Sequence, residues 1–146
     1  MTIIGHEFYM RKALEQAEIA YSDEEIPVGA VIVYNNKIIA KAHNLCEKLT
    51  DFTAHAEMQV FTSASEYLNN KYLNECILYV TLEPCLMCAG ASFWTRIGGI
   101  VYGASDPKRG YSKNSVSALH PKTIVKGGVL ENECSELLKS FFEDKR

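Results

Sequence analysis

Two short runs, His55-Ala-Glu57 and Pro84-Cys85-Leu-Met-Cys88, constrain this chain more than anything else in it. One imidazole and two thiols make a three-ligand set for zinc, and a carboxylate stands two residues beyond the imidazole. Three protein ligands leave one tetrahedral position open to water, the layout of a catalytic centre; a structural centre closes it with a fourth side chain. A fold that uses both runs must bring the start of one helix against the start of another.

At 146 residues the chain is long enough for one compact domain with a single core, spanning Met1 to Arg146, and too short for two. With 47% hydrophobic and 23% charged residues, its composition is that of a soluble globular protein. No apolar run reaches bilayer length, so no membrane association is expected. The stretch Met1 to Arg11 lacks an apolar core ending in a cleavage site, which points to a cytoplasmic protein. Five cysteines, two of them in a C-x-x-C pair, fit metal or redox chemistry better than a disulfide framework. Cys76 and Cys134 read as small buried residues, whereas Cys46 follows Asn44 in a polar segment near the presumed site.

The net charge of −3 argues mildly against a nucleic-acid binder, but its distribution is uneven. From Pro107 to Leu130 there are five basic residues (Lys108, Arg109, Lys113, Lys122, Lys126) and no acid, so the rest of the chain carries −8. Such a segment is either a phosphate-binding edge or a solvated loop.

Apolar spacing predicts an amphipathic helix over 7–21 (Met10, Ala13, Leu14, Ala17, Tyr21) bounded by Pro27. Val28–Val33 and Ile38–Ala40 read as strands joined at Asn35-Asn36, residues that tolerate positive φ in a hairpin turn. Thr53 is the expected N-cap of a helix that runs through Met58, Phe61, Ala64 and Leu68 and stops at Asn69-Asn70. Strands follow at 76–81, at 100–102 and, more weakly, at 123–125. A helix over 85–95 opens behind Pro84 and is expected to end at Gly98-Gly99, and a last one runs from Leu130 through Phe141. Alternation of strands and helices in the second half implies parallel pairing there, and helices packed on a sheet of about five strands.

Three apart, Cys85 and Cys88 share one face of a helical turn, where free N–H groups and the helix dipole stabilise thiolates. Zinc lowers the pKa of water toward neutrality, and Glu57 is placed to move its protons. On a regular helix residues two apart point about 200° from each other, so His55 and Glu57 share a site only across a helix end. Alone, C-x-x-C could be a redox pair or half of a closed zinc site, with His43, Cys46 or Cys76 as fourth ligand. Combined with H-x-E and the preceding proline, it is the signature already established for zinc-dependent base deaminases as a class.

The chain resembles the cytidine deaminase superfamily and, within it, the bacterial tRNA-specific adenosine deaminases. Glu25-Ile-Pro-Val-Gly-Ala30, Thr53-Ala-His-Ala-Glu57, Thr81-Leu-Glu-Pro-Cys-Leu-Met-Cys-Ala-Gly90, Arg96-Ile-Gly98 and the tail Gly128 to Leu138 with Phe141-Phe142 are similar to that family's blocks. The resemblance implies a homodimeric three-layer α/β/α sandwich with a mixed sheet that converts adenosine to inosine at the tRNA wobble position. It implies one zinc per subunit on His55, Cys85 and Cys88, attack of zinc-activated water on C6, Glu57 as proton shuttle, and release of ammonia. Asn44 and Val28 match positions that hold or line the target base. Asp106 matches a loop residue contacting the anticodon nucleotides, and Lys108 and Arg109 follow it. A wobble base in a single-stranded loop is extruded at the cost of unstacking only. Phe93-Trp94-Thr95 is instead similar to an aromatic pair of free guanine deaminases, the segment after Arg109-Gly110 looks shorter than in many tRNA enzymes, and Glu143-Asp-Lys-Arg146 does not resemble the longer basic tail of some relatives. A free guanine, cytosine or nucleoside deaminase is therefore the alternative, and a zinc-stabilised RNA-binding or assembly module without turnover a third reading. Trp94 reads as core or dimer interface.

Overall fold

The computed structural model describes residues 3–114 and 117–145, with side chains from residue 5. Helix α1 (Ile3–Ser22) is followed by strands β1 (Gly29–Tyr34) and β2 (Lys37–His43), the short helix α2 (Cys46–Leu49) and helix α3 (Ala56–Leu68). Strand β3 (Cys76–Leu82), helix α4 (Leu86–Thr95), strand β4 (Gly99–Ala104), a 3-10 turn at Tyr111–Lys113, strand β5 (Ile124–Lys126) and helix α5 (Glu131–Asp144) complete the chain. The sheet order is β2-β1-β3-β4-β5. Antiparallel pairing joins β1 to β2 and β3, and parallel pairing joins β3 to β4 and β4 to β5, so the sheet is mixed as expected.

Side-chain alternation sorts the strands between two cores. Ala30 and Ile32 of β1, Leu78 and Val80 of β3 and Ile100 of β4 pack with Ala56, Val60 and Ala64 of α3. Val31, Val33, Tyr79 and Val101 face the other way, against Tyr9, Met10 and Ala13 of α1 and Cys134 of α5. Helices thus cover both faces, and the three-layer α/β/α arrangement is the one observed. Parallel pairing of β3 with β4 brings their carboxyl ends to one edge, the side on which parallel sheets place ligands.

Local chemistry explains most boundaries. Asn35 and Asn36 have φ of 50° and 59° and join Tyr34 to Lys37 in a two-residue hairpin loop. Along α1 the fully buried positions are Met10, Ala13, Ala17 and Ala20. A Cβ on Gly29 would lie 2.1 Å from the Ala13 carbonyl oxygen, so helix backbone rests directly on β1. Tyr21, expected on the apolar face, is half-exposed and turns its hydroxyl to Ser140 and Asp144 of α5.

Two expectations are corrected, and one of the two readings of Trp94 is excluded. Thr53 does not cap α3: it is exposed, and its N–H and hydroxyl donate to Asp51 Oδ1 (2.8 and 2.7 Å), while His55 is the cap residue. Arg96, at φ 55°, ends α4 ahead of Gly98-Gly99, and Gly98 allows a close packing in which an added Cβ would lie 2.4 Å from the Asn74 carbonyl oxygen. Trp94 is no core residue, being 77% exposed on α4 with an edge-on contact to Phe93.

Candidate active site

Two helix N-termini meet at the carboxyl edge of the sheet, and each sets its cap residue into the meeting point. His55 caps α3 with extended backbone (φ −69°, ψ 150°), and Cys85 caps α4 in the same way (φ −73°, ψ 174°). A cap residue stands outside the helical spiral. His55 therefore turns away from the direction that its spacing to Glu57 would impose inside a helix, and both reach one place. The His55 side chain makes no capping bond to its own helix. The α3 N–H of Ala56 is instead satisfied by Asn44 Oδ1 at 2.9 Å, which frees the imidazole. Gln59 Nε2 donates to the carbonyls of His43 and Ala54 (2.7 and 3.2 Å) and fixes the chain entering α3.

His55 Nδ1 lies 3.6 Å from Cys85 Sγ and 3.5 Å from Cys88 Sγ. A tetrahedral zinc ion with Zn–S near 2.3 Å and Zn–N of about 2.05 Å holds nitrogen and sulfur about 3.6 Å apart. The donor set thus fits the ion both in chemistry and in spacing. Among the described residues no fourth His, Cys, Asp or Glu joins this cluster. His43 is engaged by Gln16, Cys76 is buried at the start of β3, and the Cys46 thiol faces the Phe52 carbonyl.

The cluster is strongly polarised. A hydrogen bond from the Cys88 thiol, helped by His55, pulls Cys85 down to about 4 against the effect of burial. Cys88 is pushed up by that same bond and by burial, and its bond to Cys85 raises His55. Glu57, 4% exposed in the first turn of α3, is pushed up to about 7, chiefly by burial, with the positive pull of His55 opposing. Cys88 lies beside its carboxylate.

Of the remaining anticipated residues, Asn44 is bonded to the first residue of α3, and the others lie in the loops before β1 and after β4. Asn44 is buried between β2 and α3, and its Oδ1 is taken by the Ala56 N–H, so its Nδ2 is the group left for a ligand. Val28 is buried just ahead of β1, and its carbonyl accepts the Asn44 N–H (3.1 Å). Asp106 lies in the loop after β4, where Oδ1 accepts the N–H groups of Lys108 and Arg109 (3.0 Å each). It folds the loop, and Lys108 and Arg109 are fully on the outside.

Two buried acids escaped sequence reasoning. Glu25 accepts the N–H groups of Glu47 and Lys48 (3.0 and 2.8 Å) and so holds α2. Glu83, directly before Pro84-Cys85, accepts from Asp106 and Ser112. An acid placed between an apolar strand and the Pro-Cys step was the only available signal for the latter.

A family model described as MafB19-like deaminase matches residues 4–146. A tRNA-specific adenosine deaminase of Bacillus subtilis (strain 168) is 44% identical over 96% of this chain and 90% of its own. Its namesake in Aquifex aeolicus (strain VF5) is 43% identical over 98% and 97%. A solved structure from a study of A-to-I editing by tRNA:A34 deaminases at the wobble position of transfer RNA superposes with a TM-score of 0.84. It is 40% identical, over 90% of this chain and 99% of that one. With relatives this similar over nearly the full length, the chain belongs to the tRNA-specific adenosine deaminases.

Proposed function

We infer that this protein converts adenosine to inosine at the wobble position of tRNA, adding water across C6 and releasing ammonia. The observation that carries this reading is a buried carboxylate, Glu57, beside an N, S, S donor set at zinc spacing, in a chain so similar to tRNA-specific deaminases. His55, Cys85 and Cys88 would hold one zinc ion per chain. When bound, zinc supplies a Lewis acid that makes water acidic near neutral pH.

The chain's own work is proton traffic and positioning. Glu57 takes a proton from the attacking water and delivers it to N1 of the adenine ring. The second proton follows the same route to the amino nitrogen, so the C6–N bond breaks with neutral ammonia leaving. A carboxyl held near 7 by burial serves both steps at neutral pH, because accepting and donating cost nearly the same there. Asn44 Nδ2 is the donor for the target nucleotide, and Val28 forms an apolar wall of the base pocket. Asp106 shapes the loop that meets the anticodon, and Lys108 and Arg109 bind its phosphates. A cytoplasmic location fits such a substrate. The apolar side of α4 (Leu86, Phe93 and Trp94) is the surface for a second copy.

The test is ammonia release by zinc-loaded protein on an anticodon stem-loop with wobble adenosine, beside free adenosine, guanine, cytosine and cytidine. Turnover of the stem-loop alone, weakening steeply with added salt, is expected. Equal turnover of guanine or free adenosine would replace this reading with that of a small-molecule deaminase.

A further inference from the structure

Glu83 is 3% exposed and has no basic partner among the described ion pairs, yet both of its oxygens accept hydrogen bonds from neutral donors. Oε1 accepts the N–H of Asp106 at 3.0 Å. Oε2 accepts the N–H of Ser112 at 3.1 Å and its hydroxyl at 2.6 Å. The two oxygens therefore grip both ends of the loop 106–112. Between those ends the loop closes over the carboxylate so tightly that a Cβ on Gly110 would lie 2.3 Å from it. Main-chain bonds run alongside: Glu83 N–H to Ala104, Tyr111 N–H to Pro84, and a bridge between Cys85 and Gly110. Asp106, gripped at its own N–H, folds the apex by accepting from Lys108 and Arg109.

We propose that Glu83 is a positioning residue for substrate, a brace that fixes the loop carrying Lys108 and Arg109 against the segment that delivers Cys85. The inference rests on the reading that an anticodon loop is the substrate. A carboxylate is required because donors face both of its oxygens. In Glu83→Gln the amide nitrogen must oppose either the Asp106 N–H or the Ser112 pair, and one end of the loop is released. The chemistry at Glu57 is untouched by that release, whereas the phosphate-binding cations lose their fixed place. Ordering the loop anew in each complex then lowers affinity without lowering the rate of the bound complex.

The experiment compares wild type, Glu83→Gln and the milder Ser112→Ala as zinc-loaded full chains. Kinetics on the anticodon stem-loop are measured together with zinc content and the rate of tryptic cleavage after Lys108 and Arg109. Glu83→Gln is expected to raise KM about tenfold with kcat within about threefold. It should keep one zinc per chain and accelerate cleavage in the loop about tenfold, with Ser112→Ala between it and wild type. Unchanged KM and cleavage in both variants would overturn the proposal. A fall in kcat with loss of zinc would also overturn it, by assigning Glu83 to Cys85 and not to the loop. Should Glu83→Gln fail to fold, Ser112→Ala decides on the same two readouts. Wild type acting equally on free adenosine would sink the tRNA reading itself, and tryptic cleavage would still report separately whether the brace exists.

Discussion

Glu57 is the residue at which burial and chemistry meet most directly. A carboxylate this buried is costly to ionise, and burial raises it to about 7, the affinity that the proposed shuttle needs in order both to accept and to donate. Glu57→Gln keeps the shape and the packing of the first turn of α3 but has no proton to trade. We expect its turnover of the stem-loop to fall by about 10²- to 10⁴-fold, the usual worth of a general acid–base. Zinc content, measured by atomic absorption, should stay at one per chain, because the donor set is His55, Cys85 and Cys88. Substantial activity in Glu57→Gln would remove it from the proton path. The residue types of this centre were readable from H-x-E and P-C-x-x-C alone. Their compatibility was not, since a spacing of two seemed to set His55 and Glu57 on opposite sides. Only the cap position of His55, outside the spiral, reconciles them.

Among the elements, the long ones were legible because each buries a continuous apolar face, and the hairpin because Asn35-Asn36 accepts positive φ. What sequence reasoning missed depends on partners far along the chain. Helix α2 is four residues long and stands on Glu25, a carboxylate more than twenty residues before it. The first N–H of α3 is satisfied by Asn44 across a loop, so the nearby Thr53 was the wrong inference from a correct preference. Helix α1 has a comparable distant anchor, in which His6 Nδ1 meets the hydroxyl of Tyr79 in β3 at 2.9 Å. Burial, then Lys126, lowers the His6 pKa, and burial raises that of Tyr79, so the bond joins a neutral imidazole and a neutral phenol. Because the folded-state pKa lies below the unfolded one, this bond stabilises above the ordinary histidine range and its contribution is lost as pH falls through it. Replacing His6 by Phe keeps a ring there and removes the titration. Thermal melting of the two proteins should show a wild-type advantage at pH 7.5 that shrinks or reverses by pH 5. An advantage constant across that range would mean that His6 does not titrate against Tyr79.

At the level of the whole molecule, two surfaces compete for attention, and their chemistry separates their partners. The basic stretch from Lys108 to Lys126 suits a polyanion, set as it is on a body that carries −8. The outer side of α4 suits another apolar surface: Leu86, Phe93 and Trp94 are 50%, 37% and 77% exposed. With Gly90 between them they fall at positions i, i+4, i+7 and i+8 of one helical stripe. A Cβ added at Gly90 would meet nothing within 4 Å, so the stripe has an open notch at its middle beside the bulk of the Trp94 ring. Protrusion and notch on one helix are what a two-fold contact needs, since each copy offers the other both parts. We therefore expect light scattering at micromolar concentration to give twice the 16.4 kDa chain mass. Trp94→Glu should move it toward the single mass, because a carboxylate placed in that contact would lose its water without gaining a partner. A wild-type protein that runs as a monomer would leave the stripe to some other apolar partner. A Trp94→Glu dimer as stable as wild type would place the two-fold contact elsewhere on the molecule.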